Sequence, residues 1–154
     1  MTVIRPSQIQ DAAQIQDIYQ RCIIEAVWQL RPAHAIPDFA SVSQGELVLV
    51  ASDGPEDTQV PAADKILAVL AVQVADSYIH HLYVHPEAQG RGLGKSLLLY
   101  LQDFLPFPWR LKCVTNNHAA LAFYRYLGWR EIASGHSADG PYVLLELSAP
   151  LFKS

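Results

Sequence analysis

The apolar run Leu82-Tyr83-Val84 passes through His85-Pro86 into Glu87-Ala88-Gln89-Gly90-Arg91-Gly92-Leu93-Gly94-Lys95-Ser96, and a leucine-rich segment follows at once. A strand that turns through three alternate glycines into a helix limits the fold more than any other stretch of the chain. Each glycine removes a Cβ that would hold a ligand off the backbone, and the turn leaves several N–H groups free to converge on one point. The helix adds the unpaired N–H groups and positive dipole end of its first turn. The spacing predicts a cradle for a phosphate, most simply a pyrophosphate, built by Gln89, Gly90, Arg91, Gly92, Leu93 and Gly94.

Spacing also narrows the ligand. A dinucleotide fingerprint needs Gly-x-Gly-x-x-Gly, and Gly90, Gly92 and Gly94 fall one residue short. The P-loop pattern comes nearer: Gly94-Lys95-Ser96 satisfies its end, and only Gln89 stands where its first glycine belongs. A P-loop NTPase also needs an aspartate at a strand tip to hold magnesium, whereas the next apolar strand, Arg110 to Val114, ends in Thr115.

The pattern Gln-x-x-Gly-x-Gly fits without exception at Gln89, Gly92 and Gly94, and Asn117-x-x-Ala120-x-x-Phe123-Tyr124-x-x-Leu127-Gly128-Trp129 follows after one strand. Together these resemble the two motifs of the GNAT superfamily of acyl-CoA-dependent N-acyltransferases, with Trp129 replacing the usual phenylalanine. The resemblance runs from Ile4-Arg5-Pro6 to the last strand. It implies one α/β (α+β) domain over residues 1–154, with a mixed, mostly antiparallel sheet of about seven strands, about four flanking helices and a splayed cofactor cleft between strands 4 and 5. It implies acetyl-CoA as co-substrate, no metal, and direct attack by a primary amine of a small molecule or peptide in a ternary complex. A non-catalytic acyl-CoA-binding module is the alternative from another class, and the P-loop NTPase a more distant one.

Composition agrees with a packed enzyme domain. Hydrophobic residues make up 51% and charged residues 17% of the 154, a globular balance. A net charge of -4 opposes general nucleic-acid binding and tolerates a cationic amine. No apolar run has membrane-spanning length and no basic-then-apolar leader opens the chain, so a cytoplasmic location without a membrane partner is expected; a homodimer is left open. Cys22 and Cys113 fall on apolar faces and read as reduced, buried thiols. The six histidines are scattered, with no pair four apart on a helix, so no metal site is expected.

Periodicity orders the elements. Thr2 to Arg5 reads as a strand, and Ser7-Gln8-Ile9-Gln10 as a capping box opening a helix to about Val27. Pro32 and Pro37 make a loop with a short helix near Asp38 to Ser43. Strands are expected at Glu46 to Ala51, Lys65 to Ala75, Ser77 to Val84, Arg110 to Thr115, Trp129 to Ser134 and Tyr142 to Ser148. The Lys65 strand is apolar enough to be covered on both faces. Ser52 to Asp64 and Gly135 to Pro141 read as turns, and helices as Gly92 to about Leu105 and Asn117 to Leu127.

The resemblance assigns roles to individual positions. Main-chain groups of Leu82, Tyr83 and Val84 would receive the pantetheine arm by strand addition, and the N–H of Leu82 or Val84 would polarise the thioester carbonyl. Tyr124 would protonate the leaving thiolate, and Asn117 would contact coenzyme A as well as cap its helix. Arg91 and Lys95 serve as phosphate contacts or as solvated charges. The amine must lose a proton, and where family members often carry carboxylates this chain has His80 and His81, imidazoles suited to that task near neutral pH. Adjacent strand residues face opposite sides, so one of the two is expected in the cleft. His34, His85, His118 and His136 are weaker candidates, and Glu25, Trp28 and the Gly135–Gly140 segment are expected near the acceptor.

Overall fold

The computed structural model describes residues 2–26, 36–54 and 64–150. Strands β1 (Thr2–Pro6), β2 (Leu47–Asp53), β3 (Lys65–Gln73), β4 (Tyr78–Val84), β5 (Trp109–Val114), β6 (Arg130–Ser137) and β7 (Gly140–Leu147) form one seven-stranded sheet. Its order is β1-β2-β3-β4-β5-β7-β6. Every neighbouring pair is antiparallel except β4 and β5, which are parallel. Helices α1 (Ala12–Ile24), α2 (Phe39–Val42), α3 (Leu93–Leu101) and α4 (His118–Tyr126) flank it. This is the mixed α/β architecture expected from the sequence.

Two apolar clusters divide the helices between the faces of the sheet. Ile15, Ile18 and Tyr19 of α1 and Phe39 of α2 pack on Val50, Ile66, Val69 and Ala71. On the other face, Leu93, Leu97, Leu98 and Leu101 of α3 and Leu121 and Tyr124 of α4 join Leu49, Leu67, Leu70 and Val72. The spacing of the α3 leucines puts them on one side of a 3.6-residue repeat, and full burial of each contributes about 1.5–3 kcal/mol. β3 supplies residues to both clusters, so its Ile66–Val72 run is buried on both faces as its composition requires.

Element ends differ from the sequence expectation where side chains compete with the backbone. The capping box lies one residue later than expected: Gln8 rather than Ser7 is the N-cap of a 3-10 turn at Ile9–Asp11 that precedes α1, and Asp11 Oδ2 accepts the Gln8 N–H at 2.7 Å. α3 stops at Leu101 rather than near Leu105, ahead of Pro106 and Pro108. The β6–β7 hairpin is tighter than expected, because Ser137 pairs with Gly140 across a two-residue turn. Val27 lies outside the described residues, as does most of the expected Ser52–Asp64 turn. Cys22 and Cys113 are both free thiols.

Asp11 is 2% exposed and takes both guanidinium nitrogens of Arg5, at 2.8 and 3.2 Å, which ties β1 to the start of α1. Burial pushes its carboxyl upward, but Arg5 and the Gln8 N–H outweigh this and hold it below its ordinary value. A depressed carboxylate stabilises the fold above its unfolded-state pKa and loses that contribution as pH falls through the folded value. Asp11→Asn should cost about 2 kcal/mol near pH 7. Denaturant titrations should show the gap from wild type closing as the pH is lowered below about 4; a gap independent of pH would remove the ion pair from the account.

Candidate active site

β4 and β5 pair only near their N-terminal ends. Tyr78 pairs with Arg110, whose N–H donates to Ser77 O at 3.1 Å, and no further register pair joins the two strands. Past that point they diverge, which is the splay expected between strands 4 and 5. The β3–β4 ladder decides which groups face the gap. His85 N–H donates to Leu67 O at 2.8 Å, so by alternation the Tyr83 main chain also turns toward β3, and Leu82 and Val84 turn toward the gap. Of the three residues expected to offer main-chain groups, Tyr83 therefore presents its side chain instead. The Val84 carbonyl already accepts from Gln89 Nε2 and Cys22 Sγ, each at 3.2 Å. Leu82 and the Val84 N–H remain as the edge.

The glycine turn sits at the end of that edge. Gly90 and Gly92 have φ of 83° and 77°, and a Cβ on either would meet nothing within 4 Å, so conformation rather than crowding demands glycine at both. Gly92 is the N-cap of α3 and no side chain caps the helix, so the first-turn N–H groups of Leu93 and Gly94 have no intrahelical partner. Gly94 has a different reason: a Cβ there would lie 3.2 Å from Phe123 Cζ, so its absence lets α4 approach α3. Arg91 is exposed.

On α4, Asn117 Oδ1 accepts the Ala120 N–H at 3.2 Å, the N-cap expected of it. Tyr124 is 8% exposed between Phe123 and Trp129, and burial, reinforced by Cys113, drives its phenol well above the ordinary value. Burial does the same for Tyr83, with Tyr19 adding to it. Both phenols therefore keep their protons at neutral pH.

The two histidines do not face opposite sides. Ala71 pairs with His81 and Val72 with Ile79, so His80 is an extra residue in a β-bulge and its ring turns onto the face that carries His81. The ring centroids are 4.0 Å apart. Both line a cavity of about 400 Å³ with Tyr19, Tyr78, Tyr83 and Tyr142. Lys112 and Val114 of β5 border it too, so it opens across the splay. His81 is buried against Phe39 and Tyr19, and burial, then the neighbouring His80, push its imidazole down to about 4. His80 is half-exposed and donates from Nδ1 to Glu46 Oε2 at 2.9 Å. A carboxylate can only accept, so Nδ1 carries the proton toward Glu46, and in the neutral ring Nε2 is the nitrogen with the lone pair. Tyr78, His80 and Lys112 also wall a second, shallower groove of about 600 Å³ that reaches Glu46 and Arg110.

Sequence reasoning missed Glu46. It lies 34 residues from His80, just before β2, and its side chain is only 9% exposed. A carboxylate ahead of a strand carries no local signal; pairing in space reveals it. The Gly135–Gly140 segment reaches the cavity through Ser137 and Asp139, whereas His136 does not line it. Gly135 has a role of its own, because its missing Cβ would lie 2.6 Å from Tyr142 Oη, so the Tyr142 ring crosses over it. Glu25 is exposed outside the cavity. His85 is buried and accepts the Glu87 N–H, and His118 is exposed at the start of α4. Trp28 and His34 lie outside the described residues.

Comparison with known proteins agrees with this geometry. The family model described as Acetyltransferase (GNAT) family matches residues 12–129. The [ribosomal protein bS18]-alanine N-acetyltransferase of Salmonella typhimurium is 32% identical over 119 residues, which cover 70% of this chain and 75% of that protein. The ribosomal-protein-S18-alanine N-acetyltransferase of Escherichia coli superposes with a TM-score of 0.69 at 23% identity, covering 99% of this chain and 97% of the other. Salmonella typhimurium yncA, solved with its cofactor acetyl-CoA, gives 0.66 at 20% identity over 96% and 93%. The class these define is that of the acetyltransferase enzymes. Within that class, the chain belongs to the GNAT family. Nucleotide hydrolysis by a P-loop is thereby set aside. No helix among the described residues is long and apolar enough to cross a membrane.

The backbone at Gly92 yields a prediction independent of any ligand. Gly92→Ala should lower stability by about 1–2 kcal/mol in denaturant titrations, and Gly92→Asn by less, because asparagine tolerates the left-handed region. Equal stability of all three proteins would show that this φ does not bind the sequence to glycine.

Proposed function

We propose that the protein transfers the acetyl group of acetyl-CoA to the primary amine of a peptide or small molecule, by direct attack in a ternary complex at the gap between β4 and β5. The observation that carries the reading is the bulge that sets the open Nε2 of His80 in a cavity spanning the same gap that bares the β4 edge. In this reading the turn from Gln89 to Gly94 and the first turn of α3 take the pyrophosphate, with Arg91, Lys95 and Asn117 at its margins. Leu82 and Val84 take the pantetheine amides as an added strand would, and one of their N–H groups stabilises the oxyanion.

Proton traffic follows from the same atoms. An ammonium has no lone pair, so His80 Nε2, oriented by Glu46, removes a proton as the amine attacks the thioester carbon. The C–N bond forms, the tetrahedral intermediate collapses, the C–S bond breaks, and Tyr124 donates its proton to the departing sulfur. His81, neutral and packed under Phe39, forms the cavity wall and keeps His80 turned inward.

An α-amino group suits this machinery better than a lysine. At pH 7 roughly one α-amine in ten is already neutral, against roughly one lysine in 2,500, so a single half-exposed imidazole has less to do. The groove beyond His80 offers room for chain following such an amine. The two ribosomal-protein enzymes are named for an alanine, a residue whose side chain carries no amine.

An amine panel with free thiol as the readout tests the reading: peptides with a free α-amine should release coenzyme A faster than their N-blocked, lysine-containing counterparts. Release with lysine peptides alone would overturn the acceptor assignment, and release with no amine would overturn the transferase reading. Tyr124→Phe should lower kcat about 10- to 100-fold with little change in acetyl-CoA affinity, and His80→Ala should lower kcat/KM by about 100-fold or more. Unchanged kinetics would remove the substituted residue from the mechanism.

A further inference from the structure

Where the acceptor cavity meets the neighbouring groove, the residues around the proposed base form a second arrangement. Glu46, His80 and His81 bring one ligand-type atom each to within 4.8 Å of one another. Two other facts mark the cluster as incomplete. Glu46 Oε1 and His81 Nε2 are fully buried and have no hydrogen-bond partner, and the Glu46 side chain and His81 are each 9% exposed. A buried polar atom left unpaired costs about 1–3 kcal/mol, more when charged, and two of the three residues carry one.

We infer that Glu46, His80 and His81 form a binding site for a zinc-class divalent cation where the acceptor cavity meets the neighbouring groove. The donor set is two imidazoles and a carboxylate, which suits zinc, cobalt or nickel rather than magnesium or calcium. Ligand atoms around a tetrahedral zinc stand roughly 3.3 Å apart, given bonds of about 2.0–2.1 Å. The His80–Glu46 pair, at 2.9 Å, opens slightly to that spacing, and small side-chain rotations bring in His81. The cation takes the place of the proton between His80 Nδ1 and Glu46 Oε2. The remaining coordination position faces the cavity, where water or the acceptor amine can enter.

The site rests on the geometry of the cluster and not on acetyl transfer, but the two meet at His80. A histidine that coordinates through Nδ1 carries its proton on Nε2 and has no lone pair for an amine. The metal-loaded protein is then blocked at the step assigned to the base, and removal of the cation restores it.

The test uses chelator-treated full-length protein without acetyl-CoA, titrated with Zn2+ against a chromophoric chelator and with Co2+ by visible absorption. Wild type should bind one equivalent at low-micromolar or tighter affinity and give the ligand-field bands of four-coordinate cobalt. Glu46→Gln and His81→Asn should each weaken binding at least about 10-fold. Because His81 is buried and its replacement risks unfolding the protein, His80→Asn, at a half-exposed position, provides a third reading of the same site. No stoichiometric binding, or wild-type affinity in Glu46→Gln and His80→Asn, would overturn the proposal. A protein that binds zinc but acetylates no amine refutes only the proposed function, and one that acetylates amines but binds no zinc refutes only this site.

Discussion

Everything in this molecule that bears on chemistry depends on β4 and β5 sharing a single pair. Parallel neighbours in the middle of a sheet normally exchange hydrogen bonds along their length, and leaving them apart exposes backbone groups that must find other partners. Here Tyr78 and Arg110 fix the hinge of the splay, while β3 on one side and β7 on the other hold each strand by a full antiparallel ladder. Each half of the sheet is thus held by its own ladder, and the gap lies between them. The edge is not wholly bare, because Gln89 and Cys22 already satisfy the Val84 carbonyl. What remains is a short, one-sided row of donors and acceptors beside an uncapped helix start, a shape suited to a ligand that is peptide-like at one end and phosphorylated at the other.

The opposite faces of the gap have different characters, and the helices explain why. α3 and α4 pack leucines and aromatic rings against one face, and Gly94 lets Phe123 come close enough to bring Tyr124 alongside. α1 and α2 cover the other face only in part, leaving a cavity walled by tyrosines and histidines. Donor and acceptor could therefore approach from different directions without competing for space. The bulge at His80 turns the imidazole into that cavity.

Much of this was legible in the sequence, for identifiable reasons. The glycine turn, the α3 leucines and the Asn117–Trp129 segment are local signals, in which residues that act together are neighbours in the chain. The doubly buried β3 was legible from composition alone. The His80–His81 arrangement was not, because a bulge is a property of the register between two strands, and simple alternation predicts the opposite outcome. Glu46 was invisible for a related reason: it meets His80 only through the β2–β3–β4 ladder, and nothing in its own neighbourhood distinguishes it from a surface carboxylate. Local motifs carry the proposed donor side, whereas the proposed acceptor side is built from long-range pairing.

Amide hydrogen exchange resolved by NMR, with and without acetyl-CoA, tests the central claim most directly. The account predicts that saturating acetyl-CoA slows exchange at the Leu82 and Val84 amides and at the Gly92–Lys95 amides, while Tyr83, already bonded to β3, changes little. Saturation of the protein by acetyl-CoA with Leu82 and Val84 still exchanging at their free rates would contradict it.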